Sequence, residues 1–225
     1  MDILLDSADL TAIGHALEYY PIKGVTTNPS MLASLRQPEV VSHLCAIRAL
    51  IGEKRDLHVQ LTARDAATMV KEAHHLCTKL GEQTFLAVPV TEEGLKVIKI
   101  LASEGLHVTA STVFSTIQGI LAMLSGARYI AVFYDRMLNL DIDASRVIRE
   151  LASLLWTNTS STQVLAASFR NVAEVTTAYA SGAGCCTVKP ELLSTGLAMP
   201  SIRKAVQDFS DDWQKVYGDK GLLDL

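Results

Sequence analysis

The sequence predicts an α/β fold, a single (β/α)8 TIM barrel with an additional C-terminal helix. Three observations carry the prediction. Short apolar, β-branched runs alternate with longer amphipathic stretches along the chain. The short runs number eight, and eight strand–helix units of about 28 residues suffice to close a parallel barrel. No GxGxxG or GxxxxGKS/T fingerprint follows an early run, as the rival doubly wound open sheet would favour.

The strands fall at 3–5, 24–26, 57–61, 85–88, 107–111, 129–133, 163–167 and 185–188. Strands covered by helices on the outside read as continuous apolar runs rather than alternating ones, and these do. Between them, Leu10, Ile13 and Leu17 space a helix over 8–18. Residues 63–79 form a second amphipathic helix. Thr91, followed by Glu92 and Glu93, caps a helix over 92–102 and places acids in its first turn. Helices over 115–124, 143–156 and 171–181 follow the same pattern. The last segment, 199–217, carries a stripe of Ile202, Val206, Phe209, Trp213 and Tyr217. It comes after the eighth unit is complete, so residues 1–198 are read as the barrel and 199–225 as an extra helix and tail. That helix packs either on its own barrel or on a neighbouring subunit.

Composition narrows the function classes. The 225 residues hold 20 Lys and Arg against 24 Asp and Glu, a net charge of −4. A nucleic-acid partner would want a basic face, and none is expected. A phosphorylated small molecule needs only two or three local cations. The N-terminus has neither a basic n-region nor an apolar h-region, so no secretory signal is expected, and the localisation expected is cytoplasmic. The stretch 105–127 has no Asp, Glu, Lys or Arg but is rich in Ser and Thr. It reads as strand, polar loop and helix rather than a membrane span. Cys45, Cys77, Cys185 and Cys186 have no metal-ligand spacing and are expected to be reduced and buried.

In such barrels the active site lies at the C-terminal ends of the strands. Those ends give Asp6, Thr26 with Asn28, Gln60, Ala87, Ser111, Phe133 with Arg136, Ser168 with Arg170, and Lys189. This is a polar ring with an apolar gap at Ala87. Arg136, Ser168 and Arg170 together suit a phosphate, since Arg offers bidentate donors and Ser completes the shell.

Four segments then carry a resemblance: Asp-Ser-Ala at 6–8, Gly-Val-Thr-Thr-Asn-Pro-Ser at 24–30, Val-Pro-Val-Thr-Glu-Glu-Gly at 88–94 and Ala-Ala-Ser-Phe-Arg at 166–170. In this order they resemble the transaldolase family over essentially the whole chain. The short length and Met-Pro-Ser-Ile-Arg-Lys-Ala-Val at 199–206 are most similar to its small fructose-6-phosphate aldolase and transaldolase-like subfamily.

The resemblance implies class I aldol chemistry with no metal and no cofactor. A lysine on the fourth strand forms a Schiff base with a ketose, the C3–C4 bond is cleaved, and a dihydroxyacetone unit stays on the enzyme. The reaction implied is reversible cleavage of fructose 6-phosphate to dihydroxyacetone and glyceraldehyde 3-phosphate. A transaldolase passing dihydroxyacetone between sugar phosphates is the near alternative. Carried over, Asp6 and Asn28 contact the dihydroxyacetone hydroxyls and Thr26 supports them. Gln60 and Ser111 orient the catalytic water, and Arg136, Ser168 and Arg170 take the phosphate. Gln60 favours the aldolase branch, whereas Phe133 stands where aldolases usually carry a proton-transferring tyrosine. The small members assemble as pentamers and decamers, which implies a homo-oligomer here.

The main departure is Ala87, where the family reads lysine. Alanine has no amine and forms no iminium, so the chain is expected to be inactive or severely impaired. It is read either as an enzyme disabled at its nucleophile or as a non-catalytic sugar-phosphate-binding relative. Val132, Phe133 and Asp135, in place of the usual proline, tyrosine and asparagine, fit the second reading. Lys189 at the end of strand eight is a candidate relocated nucleophile, to be weighed against a solvated lysine. His58 shares the inward side of its strand with Gln60 and reads as a second-layer barrel residue or a general base.

Overall fold

The computed structural model describes residues 1–36, 39–81 and 83–225. The chain divides into two compact units, Met1–Pro190 and Glu191–Leu225. The first begins with β1 (Asp2–Asp6), α1 (Leu10–Tyr19), β2 (Ile22–Thr26), α2 (Pro29–Ser34) and α3 (Val40–Ile51). It continues with β3 (Asp56–Gln60), α4 (Ala66–Leu80), β4 (Thr84–Pro89), α5 (Glu92–Ser103), β5 (Val108–Val113) and α6 (Thr116–Leu124). Then come β6 (Tyr129–Phe133), α7 (Tyr134–Leu138), α8 (Ala144–Thr157), β7 (Gln163–Ala167), α9 (Val172–Ala180) and β8 (Cys185–Val188). The second unit holds nearly all of α10 (Pro190–Leu197) and the whole of α11 (Pro200–Tyr217).

The eight strands pair in parallel and in chain order, and β8 returns to β1 to close the barrel. Both sides of the closure are visible in the register, with Leu5 opposite Val25 on one side and Val188 on the other. All eight expected strands and all seven expected helices are present. Four short or medium helices were not expected: α2, α3, α7 and α10. β5 also runs two residues past its expected end. The stretch without Asp, Glu, Lys or Arg is β5 followed by α6, and no helix among the described residues is long and apolar enough to cross a membrane. All four cysteines are free, but Cys45 and Cys77 are only half-buried, correcting the expectation that all are buried. They lie on α3 and α4, whose fully buried positions are taken by Leu44, Ile47, Met69 and Ala73.

Local chemistry explains the element boundaries. Asp9, Asn28, Asp65, Thr91, Asp143 and Asn171 each cap a helix by accepting a backbone N–H from its first turn. Pro29 and Pro200 begin their helices, where a missing N–H costs nothing. Two glycines are fixed by close approach. A Cβ on Gly24 would lie 2.3 Å from Asp56 O, and one on Gly94 would lie 1.9 Å from Pro89 O. The second lets the first turn of α5 fold tightly against the end of β4.

The barrel interior is filled from its N-terminal end. Leu4, Phe85, Tyr129, Ala131, Leu165 and Cys185 form one buried cluster. His58 lies stacked on Phe85 with ring centres 4.6 Å apart, and Phe85 on His107 at 4.9 Å. Outside the barrel, Leu5, Val25, Leu57, Leu86, Val108, Ile130 and Val188 are buried under the helices. Each such side chain stabilises the fold by about 1.5–3 kcal/mol before entropy is counted. In the C-terminal unit, the rings of Trp213 and Tyr217 pack at a tilt with centres 4.5 Å apart, and Trp213 Nε1–H donates to Lys220 O.

Candidate active site

Inward side chains shrink toward the C-terminal ends of the strands, and a cavity of about 420 Å³ opens there. Every residue read from the strand ends lines it: Asp6, Thr26, Asn28, Gln60, Ala87, Ser111, Phe133, Arg136, Ser168, Arg170 and Lys189. His58 lines it as well. The period of two along each strand produces this convergence, because it points every second residue at the barrel axis.

One wall is a hydroxyl relay. The Thr26 hydroxyl donates to Asp6 Oδ1 at 2.9 Å and lies 2.6 Å from the hydroxyl of Thr187. Thr26 spends its one hydrogen on the carboxylate, so Thr187 must donate to Thr26. Next to this wall, Asn28 Oδ1 accepts the Met31 N–H at 3.0 Å as the cap of α2. Capping fixes the Asn28 carboxamide by its oxygen and leaves its NH2 group with no partner among the described residues. The amide is therefore a positioned donor beside an acceptor, a pair suited to vicinal hydroxyls.

The opposite wall carries cations. Arg136 stands on α7 with its guanidinium 4.9 Å over the ring of Phe133, a cation–π contact. Phe133 in turn meets Phe114 edge to face at 5.9 Å. Arg170 Nε–H donates to Asp135 Oδ2 at 3.0 Å, and Asn139 Nδ2–H donates to the same oxygen at 3.0 Å. Asp135 is thus an acid inside the cation cluster, holding Arg170 by one edge. Ser168 between them has φ 66°, in the left-handed region, and its carbonyl accepts the Asp135 N–H at 3.0 Å. Lys189 adds a third cation at the rim and is exposed.

Ala87 sits on β4 in register with Gln60 on β3 and Thr109 on β5, and is 7% exposed. Its methyl group forms the middle of the cavity, with Ala131 and Ala167 also lining it. His58, one inward position lower, is fully buried, and its Nδ1 lies 2.9 Å from Thr109 Oγ1. Burial, with a smaller push from the Arg48 charge, lowers its pKa to about 3, so the imidazole is neutral at physiological pH. Neutral imidazole, hydroxyls and amides make the inner site uncharged apart from Asp6, and the net positive charge stays at the rim.

The strand-end reading did not include Thr187, Thr109 or Ala131, although each lies two residues before, or on the same inward face as, a residue it did include. Extending the period of two one step inward finds all three. The Asp135–Arg170 pair joins α7 to the loop after β7, and no sequence spacing signals it.

Comparison with known proteins agrees with this architecture. The family profile described as Transaldolase/Fructose-6-phosphate aldolase matches residues 3–220. A protein of Streptococcus pneumoniae described as a probable fructose-6-phosphate aldolase is 40% identical over 222 residues, covering 99% of this chain and all of that one. A solved structure titled native KDPGal superposes with a TM-score of 0.58 at 14% identity, covering 83% of this chain and 80% of its own, a likeness of fold alone. Since the profile and the relative both span nearly all of the sequence, the chain belongs to the transaldolase/fructose-6-phosphate aldolase family.

Proposed function

We propose that the cavity is a class I aldolase site for fructose 6-phosphate whose Schiff-base position is Ala87, and that this chain is therefore severely impaired in aldol cleavage. The observation that carries this reading is the place of Ala87, buried on β4 in the middle of a cavity with an acceptor–donor wall on one side and two arginines on the other. The polar wall of Asp6, Thr26 and Asn28 suits the dihydroxyacetone hydroxyls. Arg136, Ser168 and Arg170 suit the phosphate at the rim.

In the complete reaction an uncharged lysine amine adds to the ketone carbon C2 and water leaves to give the iminium. The C4 hydroxyl then gives up its proton to the water held by Gln60 and Ser111 as the C3–C4 bond breaks, releasing glyceraldehyde 3-phosphate. The C3–C4 electron pair is taken up by the iminium. Alanine supplies none of this. What remains here is binding and orientation: Gln60 and Ser111 flank the position where water would act, and Phe133 provides packing without a phenolic proton.

The test is Ala87→Lys with fructose 6-phosphate and borohydride. We expect no reduced adduct on the unmodified chain, an adduct on the new lysine, and a rise in cleavage rate of more than about 100-fold. An adduct on Lys189 of the unmodified chain, the one lysine among the described residues lining the cavity, would overturn the reading. A folded Ala87→Lys protein that binds fructose 6-phosphate without reacting would favour the non-catalytic binder, as the carboxylate of Asp135 in the cation cluster does.

The apolar stripe of α11 also supports assembly, with Ile202, Val206 and Phe209 exposed in the single chain. A homo-oligomer is expected in light scattering, and a monomer would refute that expectation.

A further inference from the structure

The cation wall of the cavity is organised around an acid. Asp135 lies on α7 next to Arg136, whose guanidinium stands over Phe133. Its backbone N–H donates to Ser168 O, and its Oδ2 accepts the Arg170 Nε–H, both at 3.0 Å. Asn139 Nδ2–H, one turn later, donates to the same oxygen at 3.0 Å and fixes the carboxylate. Asp135 therefore bonds to two of the three residues read as the phosphate site and adjoins the third in the chain. It lines the cavity with them. The bond to Ser168 comes from the backbone, so a substitution at residue 135 isolates what the carboxylate does to Arg170.

Charge alone gives this acid the wrong sign. Arg136, Arg170 and Lys189 line the cavity as cations, and a carboxylate among them repels an incoming phosphate. A favourable role must come from geometry. The backbone of Arg170 is already fixed, because its N–H donates to Glu174 Oε2 at 2.8 Å. Asn171 holds Glu174 in turn, donating from Nδ2 to Oε1 at 2.8 Å and accepting the Glu174 N–H at 2.9 Å. The Arg170 side chain has no such support. It is 71% exposed, against 15% for Asp135, and the Asp135 contact is its one polar tie among the described residues. Without that tie an exposed arginine samples many rotamers, and a ligand that needs one of them binds more weakly for having to order it. Bonding through Nε leaves both Nη groups without a partner among the described residues. They form a forked pair of donors, which suits two phosphate oxygens at once.

We propose that Asp135 is a positioning residue of the anion subsite. Its carboxylate holds Arg170 by Nε in a rotamer that offers the Nη edge to a phosphate at the cavity mouth, and this gain outweighs the repulsion between carboxylate and phosphate. The proposal rests on the sugar-phosphate reading of the cavity, and the experiment separates the two. With no amine at position 87, binding is measured without turnover. Fructose 6-phosphate, inorganic phosphate and dihydroxyacetone are titrated by calorimetry against the unmodified protein, Asp135→Ala, Asp135→Asn, Arg170→Ala and the variant carrying both alanines. Asp135→Ala removes a negative charge, yet it is expected to bind fructose 6-phosphate and inorganic phosphate about 5-fold more weakly. Asp135→Asn, whose amide oxygen still accepts the Nε–H, binds both at least as well as the unmodified protein. In the Arg170→Ala background the loss caused by Asp135→Ala disappears. Dihydroxyacetone, which carries no phosphate, is unaffected throughout. Asp135→Ser, with a hydroxyl too short to reach Arg170, stands in if Asp135→Ala does not fold. Equal or tighter phosphate binding in Asp135→Ala, a loss in Asp135→Asn as large as in Asp135→Ala, or a loss that persists without Arg170 would each overturn the positioning role alone. No binding of either fructose 6-phosphate or inorganic phosphate to the unmodified protein would overturn the sugar-phosphate reading and the proposal with it.

Discussion

The two ends of the barrel interior are built on the same strands and differ in almost everything else. At the N-terminal end the inward positions are Leu4, His58, Phe85, Tyr129, Leu165 and Cys185, in contact with one another and buried. One inward step later, β4, β6 and β7 carry Ala87, Ala131 and Ala167, and a cavity of about 420 Å³ opens. Strand geometry is common to both ends, so side-chain size at alternate positions decides where the barrel is solid and where it is hollow. The solid end then carries stability, and the hollow end leaves room for the proposed ligand.

That division predicts opposite phenotypes two residues apart. Phe85→Ala removes the ring packed between His58, His107 and Tyr129, and is expected to destabilise the fold by about 3–5 kcal/mol in urea denaturation. Ala87→Leu adds volume to an existing cavity. It is expected to cost less than about 1.5 kcal/mol while abolishing binding of fructose 6-phosphate. Comparable stability losses for the two would show that the cavity is not open in solution and would break the comparison.

His58 sits at the boundary between the two ends and links them to pH. In the fold it stays neutral down to about pH 3, whereas in the unfolded chain it takes up a proton near pH 6.5. Below pH 6.5 the unfolded state therefore binds one more proton than the native state, and stability falls as the pH falls. Between pH 6.5 and pH 5 this residue alone withdraws about 2 kcal/mol. His58→Leu is expected to lose that much less than the unmodified protein when urea midpoints at pH 7 and pH 5 are compared. An unchanged difference would mean that water or a local opening reaches the imidazole, and that the solid end begins below His58.

The same division explains what the sequence revealed. The eight strands and most helices were legible because apolar runs, amphipathic spacing and the capping residue Thr91 are local signals. The ring of strand ends was legible because closing a barrel brings those ends together wherever the helices lie. α3 was missed because its buried Leu44, Ile47 and Ile51 are interleaved with polar residues and its cap, Glu39, makes no side-chain bond. The Asp135–Arg170 and His58–Thr109 contacts depend on which side chains meet across the barrel, and neither leaves a pattern along the chain. Ala87 was legible only as a departure from a motif. Its surroundings, with His58 reaching beneath it toward Thr109, belong to the fold.

The hollow end also holds the backbone strain associated with strands. Among the described residues, five other than glycine have positive φ, and three of them, Arg36, Asp141 and Thr159, follow helices. The other two, Thr112 and Ser168, lie at the mouth. Thr112, with φ 57°, sits where β5 gains one residue on β6: Ala110 faces Ile130, but Val113 faces Val132. This bulge sets the course of the chain directly after Ser111. A β-branched residue in the left-handed region is strained by about 1–2 kcal/mol, whereas asparagine tolerates that region without glycine's entropy cost in the unfolded chain. Thr112→Asn is therefore expected to stabilise the protein by about 0.5–1 kcal/mol in urea denaturation, the remainder being offset by loss of the hydroxyl contact to Ser111 O at 2.7 Å. Weakened ketose binding at raised stability would show that Thr112 holds Ser111 at the floor and that the mouth is strained for the sake of its ligand. Unchanged binding would place the bulge among the devices that only terminate β5.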